Sequence, residues 1–276
     1  MHLRASSIVT AAMLFSHAAM SDCEFSAARD AEVDAAGIRK VVVEAGAGDL
    51  KIRGSQGAAK IHANGEACAD SQARLDAARI DIRREGDTVF LRTVLGEEDS
   101  KFRSASMDLT VHVPSAVQME VHDSSGDVDI GLIAALNLDD SSGDQVIRDI
   151  HGNVEVTDSS GEIEIKNIRG NVIVSDSSGD VSITDVTGNV SIPVDSSGGL
   201  SFRRVHGELH IASDSSGDIS IADVNQDVII DNDSAGDIRV VGVGGDLRVA
   251  NDSTGDIEHR NVLGEVSLPQ SKRNRD

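Results

Sequence analysis

The residues best suited to do chemistry in this sequence are carboxylates, and they recur. An Asp-Ser-Ser-Gly tetrapeptide opens at Asp123, Asp140, Asp158, Asp176, Asp195 and Asp214, with Asp-Ser-Ala-Gly at Asp233 and Asp-Ser-Thr-Gly at Asp252. A second acid follows each start at Asp127, Asp144, Glu162, Asp180, Asp218, Asp237 and Asp256, and Gly199 breaks that series. Oxygen-rich rows suit Ca²⁺. Asp158, Asp176, Asp180, Asp214, Asp218 and Asp233 are the positions that would hold it. The tetrapeptide lacks the dense D-x-D-x-D-G loop with its distal Glu, and it lacks the GGxGxD repeat of calcium-dependent β-rolls. A local role competes: an Asp opening a turn accepts hydrogen bonds from backbone amides just ahead of it. Like charges ~5 Å apart repel by about 1 kcal/mol in bulk water and by several times that at low effective dielectric. Stacked acids therefore need an offset of one kind or the other.

No catalytic grouping accompanies these acids. They are periodic rather than clustered, no Gly-x-Ser-x-Gly elbow occurs, and there is no Trp or Tyr to form a sugar-stacking platform. His151 and His206 occupy the same turn position three repeats apart, about 14 Å on the spacing of stacked strands, too far to share a metal or a proton. His259 replaces an apolar residue in the last repeat and is expected to be partly buried. Gln145 also takes an apolar position; either the strand slips by one residue there or an amide enters the core. The sequence is expected to be non-enzymatic and to need no cofactor.

The elements that would carry the acids follow from the repeat. Successive tetrapeptides start 17, 18, 18, 19, 19, 19 and 19 residues apart. After Asp176 the chain reads DSSGDVSITDVTGNVSIPV, with Val181 and Ile183 alternating, Val186 alone before a turn, and Val190 and Ile192 alternating again. Ile163, Ile165, Ile168, Val172 and Val174 keep the same phase one repeat earlier. Period-two pairs of this kind are short strands with one buried face. Gly152, Gly170, Gly188, Gly207, Gly245 and Gly264 mark the turn between them, where a positive φ is expected. One such unit has too little apolar surface to fold alone. Stacked about 4.8 Å apart, the units pair in parallel and build an aliphatic column. The fold class is all-β: a single-stranded β-solenoid (β-helix) of ~19-residue coils, with aliphatics along the axis, aspartates outside, and a β-rich N-terminal cap.

The DSSGD-[VI]-x-[IV] and G-[NED]-[VL]-x-[VI] patterns, with the early Gly48-Asp49-Leu50-Lys51-Ile52 segment, resemble the bacterial DUF4097 family over roughly residues 37–270. The resemblance implies a solenoid fold, an adhesin-like character and a cell-envelope or secreted setting.

Residues 1–22 read as a signal peptide: a short basic start, an apolar run from Ala5 to Phe15 and small-residue cleavage sites. Asp22 stands where a lipobox needs a small residue, which argues against lipidation of Cys23. In an oxidising compartment Cys23 and Cys68 form an even pair, expected as a disulfide. Residues 23–115 are expected to form the cap and to include a degenerate repeat: Val41 and Val43, then Leu50 and Ile52, with Ile61 and Ala63 as a second strand. Ser71 to Ala78 suits a turn or two of helix, Gly86-Asp87 a hairpin, and Leu109, Val111 and Val113 a strand closed by Pro114. Residues 116–270 hold the eight repeats, and 271–276 a polar tail. The net charge of −22 repels nucleic acid and anionic surfaces. No transmembrane segment is expected, and the partner would be a protein or other envelope component meeting a monomer at its acidic turns.

Overall fold

In the computed structural model, which describes residues 23–96 and 105–269, the chain is almost entirely β. The segments read as signal peptide (1–22) and polar tail (271–276) lie outside the described residues. Among the described residues two sheets of twelve strands each face one another, and through the repeats the chain passes from one to the other at every turn. Each repeat gives one strand to each sheet: Val181–Val186 lies in the first sheet, Val190–Asp195 in the second. Strands of successive repeats pair in parallel and in register, Ile163 with Val181 and Ile165 with Ile183. The alternating Val, Ile and Leu side chains point between the sheets, where nearly all are fully buried. Small branched side chains suit this space because sheets stacked face to face lie only about 10 Å apart.

The coil length has a visible cause. Up to Asp176 the second-sheet strands of the repeats end in an apolar-x-apolar-x-Asp run, as in Val172-Ile173-Val174-Ser175-Asp176. From Val190 onward one more residue is inserted, and the register slips between Ile173 and Ser175 against their partners. This bulge leaves Val194 exposed and still aligns Asp195 with Asp176. It turns 18-residue coils into 19-residue ones.

The turn glycines serve a purpose different from the expected one. Gly188 and its equivalents have no positive φ; that conformation falls three residues earlier, at Asp149, Asn167, Asp185, Arg204 and Asn261. Gly188 is required by close stacking, since a Cβ there would lie 2.5 Å from the carbonyl oxygen of Gly170. Gly179 of the tetrapeptide meets both demands, with φ +139° and a Cβ position 1.8 Å from the Gly161 oxygen.

At the N-terminal end the chain order and the stacking order part company. Strands β1 (Phe25–Asp34), β2 (Lys40–Glu44), β3 (Leu50–Ser55), β4 (Lys60–Ala69), β5 (Arg79–Glu85), β6 (Thr88–Val94) and β7 (Ala105–Pro114), with helix α1 (Gln72–Ala77), precede the regular repeats. β2 and β3 form a coil in register with β8 (Gln118–Asp123) and β9 (Val128–Gly131), Leu50 beside Val128 and Ile52 beside Ile130. β6 and β7 stack above β2 and β3 in parallel as a further coil. Antiparallel strands then finish both sheets: β4 on β7 and β1 on β4 in the first, β5 on β6 in the second. Ile61 and Ala63 therefore belong to an antiparallel strand of the first sheet; they are not the second strand of the β2–β3 coil. Cys23 and Cys68 are joined by a disulfide, with Cα atoms 5.5 Å apart, that ties the start of β1 to β4.

Candidate functional site

The two acidic series occupy opposite sides of the sheet wall. In Val172-Ile173-Val174-Ser175-Asp176, strand parity aims Asp176 inward with the two valines. Asp123, Asp140, Asp158, Asp176, Asp195, Asp214 and Asp233 are all at most 5% exposed. The expectation that they line the outside is corrected: they close one side of the interior column, stacked coil upon coil.

Part of this row is held by its own turns. Asp140 Oδ1 accepts the amides of Ser141 and Ser142 at 2.7 and 3.3 Å, and Asp158 Oδ1 those of Ser159 and Ser160 at the same distances. Asp176 and Asp214 each accept one, from Ser178 and Ser216 at 3.1 Å. Neither oxygen of Asp123, Asp195 or Asp233 accepts a hydrogen bond. Gln145 enters the column without a strand slip, pairing in register with Val128 and Ile163, and its Nε2 donates to Asp140 Oδ2 at 3.1 Å.

Burial disfavours the ionised form of every carboxyl in the row. Asp123 is pushed up to about 7 by burial and by the Asp140 carboxylate, and Asp195 to about 7 by burial and by Asp214 and Asp176. Asp158 and Asp233 rise to about 6 for the same two reasons. Asp140, Asp176 and Asp214 are also raised by burial, against the opposing pull of the turn amides. Burial and the neighbouring carboxylates thus both favour the protonated form along the row.

The outer row behaves otherwise. Asp127, Asp144, Asp180, Asp218 and Asp237 are exposed, and each Oδ1 accepts the backbone amide of the equivalent residue one coil on, at 2.7 to 3.1 Å. A matching series at the opposite corner joins Asn153, Asn171, Asn189, Asp227 and Asp246 to the coil that follows each. These side chains bond coil to coil where the backbone leaves an amide unpaired. Only one carboxylate oxygen is used, so the other remains toward solvent. Gly199, having no side chain, interrupts the row. Around it lies an open depression of about 410 Å³, lined by Glu162, Glu164, Asp180, Ser182, Ser201 and Asp218 among others.

The six candidate calcium ligands are thus divided. Asp158, Asp176, Asp214 and Asp233 are in the buried row, Asp180 and Asp218 in the exposed one. Among the described residues no three His, Cys, Asp or Glu side chains converge on a metal-sized point. His151 and His206 are exposed turn residues, and His259 is exposed in the last coil rather than partly buried. The outer row's coil-to-coil bonds had one signal in the sequence, Asp or Asn just before an alternating pair. The inner row's orientation was carried by parity.

These features define a class: a two-sheet parallel β-solenoid whose corners are locked by stacked glycines and by Asp or Asn side chains. Its family is Toastrack DUF4097, whose profile matches residues 12–199, more than half of the chain; the protein belongs to it. Among solved structures it is similar to a candidate cell adhesion protein from Clostridium sporogenes ATCC 15579, at 11% identity and TM-score 0.34, covering 88% of this chain and 99% of that one. Candidate adhesins from Parabacteroides distasonis ATCC 8503 and Parabacteroides merdae ATCC 43184 match at 13% and 14% identity, with TM-scores of 0.34 and 0.33. They cover 88% of this chain and 97% and 96% of theirs. A search of the curated proteins finds no match.

Proposed function

We propose that this is a non-enzymatic, exported repeat protein that serves as an interaction surface, with the outer acidic row as its contact face. The observation carrying this reading is that Asp144, Asp180, Asp218 and Asp237 stand exposed in one row, spaced two, two and one coils apart, each fixed through Oδ1 and offering its other oxygen outward. A regular file of oriented carboxylates suits a partner with a complementary cationic face. The disulfide suits an oxidising compartment, and no helix among the described residues is long and apolar enough to cross a membrane.

The test uses immobilised protein and a cell-envelope fraction at physiological ionic strength. Changing Asp144, Asp180, Asp218 and Asp237 together to Asn keeps the Oδ1 acceptors and removes the charge. Material retained by the wild type and lost by this variant supports the reading; equal retention sinks it. Release of sugar from envelope polysaccharides by the wild type would overturn the non-enzymatic part.

A further inference from the structure

The two ends of the solenoid are unlike. The N-terminal end is finished by antiparallel strands, whereas Ile257–Val262 and Val266–Ser267 are, among the described residues, the last strands of their sheets. The aliphatic column runs into this end. Ile257, Val262 and Val266 sit in register beside Ile238, Val243 and Leu247, which are at most 1% exposed, yet are themselves only partly buried. Leu263 beyond them is 82% exposed. An edge of this kind is a template for another strand.

We infer that this edge receives a second copy of the same chain, strand Ile257–Val262 pairing antiparallel with its counterpart about a twofold axis at His259. The charges choose the partner and the register. Glu258 and Arg260 are both exposed and project from the outer face on either side of His259. Centring the pair on His259 sets each Glu258 opposite the other copy's Arg260, giving two cross-strand ion pairs. Centring it on Glu258 or on Arg260 sets like charges opposite one another, which is destabilising. Any one-residue offset faces an inward side chain with an outward one, which period-two strands do not tolerate. One register survives.

The geometry closes on both sheets together. A twofold axis normal to the first sheet is close to normal to the second, stacked behind it, so the second-sheet edges of the two copies also face one another. The covered end is small, roughly 400 Å² per copy from strand length and sheet spacing, about half of a standard interface. The complex should therefore be weak and reversible, and it does not depend on the acidic rows. The sequence reading expects a monomer.

Sedimentation equilibrium at ~0.15 M salt, where long-range repulsion from the net charge is screened, should show a monomer–dimer equilibrium for the wild type. Glu258→Arg and Arg260→Glu, each creating two like-charge contacts, should weaken self-association at least ~10-fold. Mixed in equal amounts, the two variants should recover it, because every contact again joins opposite charges. The double variant Glu258→Arg/Arg260→Glu should self-associate like the wild type, so a loss in the single variants cannot be laid to misfolding. A wild type that stays monomeric at ~0.5 mM, well above the range expected of a small specific interface, overturns the inference; the edge would then belong to another occupant, residues 270–276 included. A dimer indifferent to both single changes overturns it as well. Single variants that weaken without recovery on mixing overturn the antiparallel register.

Discussion

Two acidic files run along this solenoid, four residues apart in each repeat, the inner unbroken and the outer interrupted at Gly199, and they differ in chemistry. The outer file is exposed and spent on stacking: Asp127, Asp144, Asp180, Asp218 and Asp237 each take an amide from the next coil and keep an oxygen for solvent. The inner file is buried among valines and isoleucines, and burial with neighbouring carboxylates pushes Asp123 and Asp195 up to about 7. What separates them is a turn of three residues, Ser-Ser-Gly, that carries the chain through the wall between core and surface. Residue type and spacing do not set the behaviour of an acid; the side of the sheet does.

The sharpest way to break this contrast is to damage the turn that creates it. Gly179→Ala should cost more than about 3 kcal/mol, combining a positive φ with a Cβ inside the Gly161 carbonyl. The urea midpoint should fall accordingly, or the protein should fail to fold; a change under 1 kcal/mol would mean that the coils do not stack this closely.

Next is the inner row's response to pH. Its folded pKa values lie above the ordinary carboxylate value, so these acids take up protons on folding. Their contribution is fully present below about pH 4 and is lost as pH rises through about 6 to 7. Asp195→Asn should therefore raise stability by about 1–3 kcal/mol at pH 8, and the gain should shrink toward pH 4. Denaturant unfolding at a series of pH values reads both; a loss of stability at pH 8 would contradict the buried, proton-holding row.

Asp218→Ala in the outer row should cost about 1 kcal/mol, the worth of one coil-to-coil hydrogen bond, read as a fall in the urea midpoint. An unchanged midpoint would mean that the outer row does not bind coil to coil. Smallest of all is the expected effect of calcium. The buried carboxylates are closed off and the exposed ones already spend an oxygen each, so melting in EDTA and in millimolar Ca²⁺ should coincide. A rise of several degrees with calcium would show that the outer file gathers ions.

Much of this was legible because the sequence repeats. Alternation at Val181 and Ile183, again at Val190 and Ile192, and the fixed return of the tetrapeptide determine strands, turns and parallel stacking without reference to anything distant. They specify a solenoid because no single coil can bury its own apolar face. Even Asp176 could be placed inside by counting along Val172 and Val174. That count fails at Asp195, where the inserted residue makes parity aim it outward, and only pairing with Asp176 forces the bulge that turns it back. Gln145 was undecidable for a related reason, since its fit depends on the Asp140 carboxylate five residues before it in the packed column. The cap is the clearest case of what tertiary structure alone decided. Between β3 and β8 the chain leaves the stack, builds β4 and β5, and returns to insert β6 and β7 above strands made earlier. No repeat marks those partners, so their choice rests on long-range packing that local pattern does not encode.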